Sequence, residues 1–317
     1  MENEITLMQI MDRFSTEDAA REYFERILWP KGPTCPHCGN ADAARIYKMA
    51  PNAQAKVRNG LYKCAECGQQ FTVTVGTVLE DTHIPLNKWL MAFYIMCASK
   101  TQVAALQLQR QLELGSYRTA LFLCHRIRYA MKEAEPQGKL GGTVEADETY
   151  VGGKVKGRGR AYKGNKTPVV SMVERDGEVR SQVVHNVTGK GLAKLLKANV
   201  KKTAHLNTDE STLYTKAGEA FASHDTVNHS EEEFSRKDKK TGRRASTNTV
   251  EGYFGNTKRS IDGTHHHVSE KHLPLYVAEL DYKYNTRKDS DGSRTMTGIK
   301  KAQGKRLMLK QLVEEEG

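Results

Sequence analysis

The sequence predicts an α/β fold with a mixed sheet, preceded by two small modules, and three observations lead there. From Thr143 onward, three strand-like runs, a helix, a short strand ending on an acid, a second helix and one more strand follow in order. Ahead of them stand two Cys-x-x-Cys pairs in a stretch rich in turn residues. Between the two, residues 85 to 132 carry apolar side chains at helical spacing. The strand order suits an RNase H-like sheet, in which the first strand and the fourth lie side by side.

The 317 residues carry a formal net charge of +11, which points to a polyanionic partner, with nucleic acid foremost. There is no run of about 18 apolar residues, so no membrane span is expected. The opening Met1-Glu-Asn-Glu-Ile-Thr-Leu lacks a basic n-region and an apolar h-region, so no signal peptide is expected and the location reads as cytoplasmic. In that compartment the six cysteines are thiols or metal ligands rather than disulfides.

Ser15-Thr-Glu-Asp18 reads as a capping box ahead of an amphipathic helix. Ala20, Tyr23, Phe24, Ile27 and Leu28 line one face, and Trp29-Pro30 stops it. Cys35-Pro-His-Cys38-Gly39 and Cys64-Ala-Glu-Cys67-Gly68 are two knuckles whose four thiolates, Cys35, Cys38, Cys64 and Cys67, converge on one structural Zn²⁺. Pro51-Asn52 and Asn59-Gly60 between them suggest a long hairpin, and Tyr62-Lys63 and Gln70 to Val75 read as strands. With all four cysteines engaged, no open catalytic position is expected; His37 reads as a surface side chain.

Residues 85 to 132 read as three helices. The first carries Leu86, Trp89, Leu90, Phe93 and Cys97, and the second runs from about Thr101 to Leu112. The third opens after Leu114-Gly115 with Ser116 as N-cap and turns Ala120, Leu121, Cys124, Ile127 and Met131 inward. Helix, short turn with glycine, helix is the helix-turn-helix pattern. Its outer face is expected to offer Tyr117, Arg118, His125, Arg126 and Arg128 to DNA. Cys97 and Cys124 read as core thiols.

Thr143 to Val151 reads as a strand with Asp147 near its middle. Alternation puts Glu145 on the face of Asp147 and Glu148 on the other, and leaves Glu145 without a role. Lys154, Lys156, Arg158, Arg160, Lys163 and Lys166 follow in a glycine-rich, acid-free loop, expected to clamp a DNA backbone. Two more strands joined at Arg175-Asp-Gly-Glu178, a helix over Gly189 to Val200, and a strand ending on Asp209 come next. Residues 230 to 244 read as a charged insertion. Thr247 to Lys258 then reads as a helix with Asn248, Glu251 and Lys258 on one face.

Asp147 and Asp209 meet at one sheet edge in this arrangement, and Glu251 faces them. Three carboxylates in that setting suit Mg²⁺ (or Mn²⁺), which takes oxygen ligands. A metal pair of this kind activates the attacking oxygen and stabilises the leaving one in displacement at phosphorus. Lys258 is placed to hold a phosphate as a point charge. His224 and His229 rank no higher than neighbours of these acids.

The chain resembles bacterial insertion-sequence DDE transposases of the zinc-ribbon, ISXO-like group. The resemblance rests on Val144-Glu-Ala-Asp-Glu-Thr-Tyr-Val-Gly-Gly-Lys154, Asn207-Thr-Asp-Glu210 with Tyr214, His224 to His229, Asn248-Thr-Val-Glu-Gly-Tyr-Phe254, Gly263 to His272 and Tyr282-Lys-Tyr-Asn285. It spans roughly residues 15 to 287. It implies that Asp147, Asp209 and Glu251 are the catalytic triad, that Lys258 is the basic residue which often follows the Glu, and that the ribbon and helix-turn-helix bind terminal inverted repeats. The expected function is phosphodiester hydrolysis at the ends of an insertion sequence and strand transfer into target DNA. The partners are double-stranded DNA, as transposon ends and target, and further copies of the chain in a homodimer or larger assembly. The alternatives are a transposase-derived DNA-binding regulator without catalysis, and a nuclease on the same fold. His265-His-His267 reads as structural or DNA-facing, and a last helix runs from about Ser269 to Asn285. The expected organisation is an N-terminal helix at 1–30, a zinc ribbon at 31–78, a helix-turn-helix module at 79–135, an RNase H-like catalytic domain at 141–287 and a loose polar tail at 288–317.

Overall fold

A computed structural model describes residues 5–55, 57–133, 138–152, 166–231, 233–237 and 242–313. The chain divides into two compact units, residues 133–287 and a second built from residues 1–132 together with 288–317.

The discontinuous unit begins with α1 (Leu7–Arg13) and α2 (Glu17–Leu28). The capping box sits one helix earlier than expected: the Thr6 hydroxyl and the Gln9 side chain cap α1 reciprocally, whereas α2 is capped by Thr16 rather than Ser15. Strands β1 (Ile46–Lys48), β2 (Tyr62–Cys64) and β3 (Gln70–Phe71) form an antiparallel sheet. The hairpin that Pro51-Asn52 and Asn59-Gly60 suggested joins β1 to β2. Trp29 packs edge-on against Tyr62 and Phe71, with ring centroids 5.2 and 5.9 Å away. This aromatic cluster, with Ile46, is the small core of the ribbon.

Three helices follow, α3 (Leu86–Ala98), α4 (Ala105–Gln111) and α5 (Tyr117–Met131), with Ser116 as the N-cap of α5. Two expectations fail here. The segment 288–313 is no loose tail. It returns to this unit and folds with it, burying Thr295, Ile299 and Ala302 and packing against α2, α3 and α5. Its apolar residues are too few to read as a helix from sequence, yet α10 packs chiefly against α3. The second half of α5 is buried nearly all round, and His125, Arg126 and Arg128 are inside. Arg126 donates to the Glu80 carbonyl and lies 5.3 Å over the Trp89 ring. Arg128 donates to the Val103 carbonyl at 3.4 Å. These arginines are structural in this fold; they do not form an outer DNA face. Tyr117 and Arg118, at the start of α5, are exposed as expected.

The other unit is built on a mixed five-stranded sheet. In chain order its elements are β4 (Thr143–Val151), β5 (Thr167–Glu174), β6 (Val179–Val183), α6 (Gly189–Asn199), β7 (His205–Asp209), α7 (Thr215–Gly218), β8 (Ser223–Val227), β9 (Ser235–Lys237), β10 (Arg244–Ser246), α8 (Asn248–Thr264) and α9 (Leu273–Asn285). The first unit's returning segment then supplies α10 (Asp291–Lys300) and α11 (Leu309–Val313). The sheet order β6-β5-β4-β7-β8 has β4, β5 and β6 antiparallel and β4, β7 and β8 parallel. This is the RNase H-like arrangement, with the first and fourth strands adjacent.

The sheet is buried on both sides, which is why β5 reads as a near-continuous apolar run. Val144 and Ala146 of β4 pack with Leu192, Leu196 and Tyr214 on one face. Val151, Val169 and Val173 pack with Val250, Phe254, Val277 and Leu280 of α8 and α9 on the other. Pro274 sits in the first turn of α9, where its missing N–H costs nothing. The charged insertion contains a short antiparallel hairpin, β9 with β10, which its polar sequence does not announce.

Candidate functional site

Parallel pairing fixes the first two acids. Thr143, Val144 and Glu145 of β4 stand opposite His205, Leu206 and Asn207 of β7. The same offset carried two residues further sets Asp147 level with Asp209. Both point to the face covered by α8, because residues two apart share a side of the sheet. Glu251 lies in the first turn of α8. Lys258 is two turns along the same helix and exposed.

The surroundings act on these acids unequally. Burial pushes the Asp147 carboxyl up to about 7; the Glu148 N–H, donating at 2.7 Å, pulls it back, and the charges of Asp209, Glu148 and Glu251 push it further up. Asp209 is raised too, chiefly by burial, against the Ser211 N–H that it accepts at 3.1 Å. An Asp147 carboxyl whose proton affinity is raised by neighbouring acids sits in surplus negative charge, which a cation relieves. Glu251 is held by two neighbours. Its Oε1 accepts from the Thr247 hydroxyl at 2.6 Å and lies 3.1 Å from His229 Nε2. That imidazole nitrogen is also 3.0 Å from the Thr247 hydroxyl, and the His229 N–H donates to Glu210 at 3.0 Å.

His229 therefore touches a candidate ligand, as a neighbour of the acids. His224 does not reach them: its Nε2 is 2.9 Å from the Thr208 hydroxyl, on the far side of β7. Glu148 likewise faces away from Asp147, accepting from the buried Tyr214 hydroxyl at 2.8 Å. Sequence reasoning missed Thr247, Arg175 and the exposed Phe234, whose ring centroid lies 6.0 Å from that of His229. Glu145, left without a role, is completely buried and accepts from Arg175 Nε at 2.8 Å. An acid two residues before a candidate ligand on the same strand face was the available signal for it. Lys154, Lys156, Arg158, Arg160 and Lys163 lie outside the described residues.

The second centre is in the ribbon. Cys35, Cys38, Cys64 and Cys67 have thiol sulfurs all within 4.8 Å of one another, and they are the one such ligand group among the described residues. The three acids do not close to that radius. Cys35 and Cys67 sulfurs are 3.7 Å apart, as are those of Cys38 and Cys64. Four sulfurs each ~2.3 Å from a tetrahedral zinc would stand about 3.8 Å apart, so the cluster fits structural Zn²⁺. The two knuckles repeat one backbone design. Gly39 and Gly68 N–H groups donate to the Cys35 and Cys64 carbonyls, each at 2.9 Å, with positive φ of 76° and 72° that favours glycine. Cys97 and Cys124 are buried in the helical core, as expected.

Residues 139–285 match the model of the ISXO2-like transposase domain, and residues 15–70 match that of a transposase zinc-ribbon domain. Among curated proteins, the chain is 26% identical over 235 residues to an uncharacterized protein in transposable element ISH50 of Halobacterium salinarum, covering 68% of this chain and 72% of that one. Among solved structures, it is similar to a chain of the simian T-cell lymphotropic virus intasome in complex with PP2A regulatory subunit B56 gamma. That match has a TM-score of 0.27 and 14% identity, and it covers 56% of this chain and 63% of that one. It is too slight to bear on the site.

Proposed function

Carrying an ISXO2-like transposase domain behind a transposase zinc ribbon, the chain belongs to that group of insertion-sequence transposases, and we propose that it cuts and joins DNA at the site of Asp147, Asp209 and Glu251. One observation supports this above the rest: β4 and β7 pair in parallel up to Glu145 and Asn207, each two residues before an aspartate of the site on the same face, and Glu251 lies in the first turn of α8, whose base packs against that face. In this reading the three carboxylates would hold Mg²⁺ or Mn²⁺. When bound, the metal supplies the positive charge that activates the attacking oxygen and stabilises the leaving one.

The chain's own residues position the rest. Water oxygen bonds to phosphorus as the bond from phosphorus to the 3′ oxygen breaks, freeing a 3′-hydroxyl at the element's end. That hydroxyl then attacks a target phosphodiester, and one phosphorus–oxygen bond again replaces another. Lys258 neutralises a flanking phosphate, and His229 and Thr247 keep Glu251 turned toward the two aspartates. Tyr117 and Arg118, exposed at the start of α5, contact DNA together with the zinc ribbon, recognising the terminal inverted repeats. Lys154, Lys156, Arg158, Arg160 and Lys163 grip the backbone of the strand being cut. Two ends and one target call for a dimer or larger assembly.

The test is Asp147→Asn and Glu251→Gln in the full chain. Nicking of a DNA carrying the element's ends is expected to vanish while binding to those ends persists. Retained, metal-dependent nicking by Asp147→Asn overturns the assignment. Binding without nicking by the unaltered protein at saturating Mg²⁺ makes it a DNA-binding regulator, and nicking without strand transfer makes it a nuclease.

A further inference from the structure

The first turn of α8 is capped by a side chain from another strand. Thr247 occupies the N-cap position, yet its side chain makes no cap hydrogen bond. Its hydroxyl is committed to Glu251. An N-cap oxygen ordinarily serves the amides of the second and third helical residues, here Thr249 and Val250. Glu145 of β4 serves them instead: its Oε2 accepts from the Thr249 N–H at 2.7 Å and the Val250 N–H at 3.1 Å. Its Oε1 accepts from the Thr249 hydroxyl at 3.0 Å, the Ser246 hydroxyl at 3.3 Å and Arg175 Nε at 2.8 Å.

Arg175 and Asn207 extend the tie to the strand that leads into α8. Arg175 Nη1 donates to the Arg244 carbonyl at 2.7 Å, and Nη2 to the Ser246 hydroxyl at 2.8 Å. Asn207 Nδ2 lies 3.3 Å from both the Arg244 and the Ser246 carbonyls. Glu145 and Asn207 are register partners across β4 and β7. Each sits two residues before an aspartate of the site, so each shares its face. One pleat behind Asp147 and Asp209, the two strands therefore hold the base of the helix that bears Glu251.

We propose that Glu145, with Arg175 and Asn207, is a positioning residue that sets Glu251 relative to Asp147 and Asp209 and so fixes the spacing of the divalent-cation site. The inference rests on the function proposed above for those three acids. A wholly buried carboxylate persists only with partners that satisfy it, and here they are a guanidinium and the positive end of a helix. By taking over the cap, Glu145 releases the Thr247 hydroxyl to orient Glu251. Glutamine at 145 keeps the length but turns an N–H₂ toward Arg175 or toward the two amides, so the start of α8 must shift.

The experiment uses the full-length chain without DNA, measuring Mn²⁺ affinity by the loss of the free-ion electron paramagnetic resonance signal, alongside melting temperature and Mg²⁺-dependent nicking. Glu145→Gln is expected to weaken Mn²⁺ binding about 10- to 100-fold, the usual effect of losing a partner that orients a ligand. The Mg²⁺ concentration for half-maximal nicking should rise in parallel, with DNA affinity unchanged. A Mn²⁺ affinity within about twofold of the unaltered protein overturns the proposal, even if the melting temperature falls, because a merely structural role lowers stability without moving metal affinity. If Glu145→Gln does not fold, Arg175→Lys carries the same criterion: it keeps the charge but cannot reach Glu145, Arg244 and Ser246 together. Asp147→Asn separates the two readings. If it too leaves Mn²⁺ binding and nicking intact, the acidic site itself is wrong; if it abolishes both while Glu145→Gln changes neither, only the positioning role fails.

Discussion

His229 Nε2 stands 3.1 Å from the Oε1 of Glu251 and 3.0 Å from the hydroxyl of Thr247, so one imidazole braces both the third acid and the residue that orients it. Its main-chain N–H, held by Glu210, anchors the segment just after β8. His229→Ala removes this brace without touching the sheet. Nicking should fall about 10- to 100-fold, the range for a group that orients a metal ligand, while DNA affinity stays level. Steady-state nicking assays against a DNA-binding titration check this; unchanged nicking would show that Thr247 alone suffices.

Asp281 gives a pH prediction that is independent of any metal. It lies on α9 and faces Tyr253 and Ser181, and burial raises its carboxyl to about 6, although the Tyr253 and Ser181 hydroxyls and the Ser181 N–H all donate to it. In the unfolded chain its value is 3.8. Between these values the folded state binds the proton more tightly, so rising pH favours unfolding. The penalty is absent below the unfolded value and complete above about 6, amounting to about 3 kcal/mol at 1.36 kcal/mol per pH unit. Asp281→Asn should flatten that part of the profile. Denaturant unfolding at pH 4 and pH 6.5 measures it, and parallel pH dependence in the two proteins would refute it.

The ribbon has a core of only a few side chains, Trp29, Ile46, Tyr62 and Phe71 among them. A module that small depends on its metal, whose binding free energy becomes folding free energy. One zinc per chain is expected by atomic absorption, falling to none in Cys38→Ser. A Cys97→Ala, Cys124→Ala double variant should keep its zinc. Far-ultraviolet circular dichroism and limited proteolysis with chelator should show the ribbon opening first.

Ile299 is completely buried although it lies near the end of a polar stretch. Ile299→Ala should cost about 2–5 kcal/mol, the range for emptying a core site. Removing residues 288–317 should expose the α2, α3 and α5 surfaces that α10 covers. Thermal unfolding and dye binding to exposed apolar surface check both. A truncated chain that melts like the full one would return this segment to the status of a tail.

Much was legible in the sequence because it rests on local chemistry. Two Cys-x-x-Cys-Gly knuckles specify a tetrahedral thiolate cluster wherever they fold. Period-two runs around Asp147 and before Asp209, and the helical spacing of Val250, Glu251 and Phe254, fix which faces those acids share. Tertiary structure decided matters that depend on what covers what. Arg126 and Arg128 look like a solvent face until the Glu80 and Val103 carbonyls and the Trp89 ring meet them inside the fold. Glu145 looks like a spare acid until α8 places two unpaired amides against it. Local pattern determines which elements form and which way their side chains point, because those follow from backbone periodicity. The partner of a buried charge is set by distant segments meeting in space, and only the assembled fold supplies it.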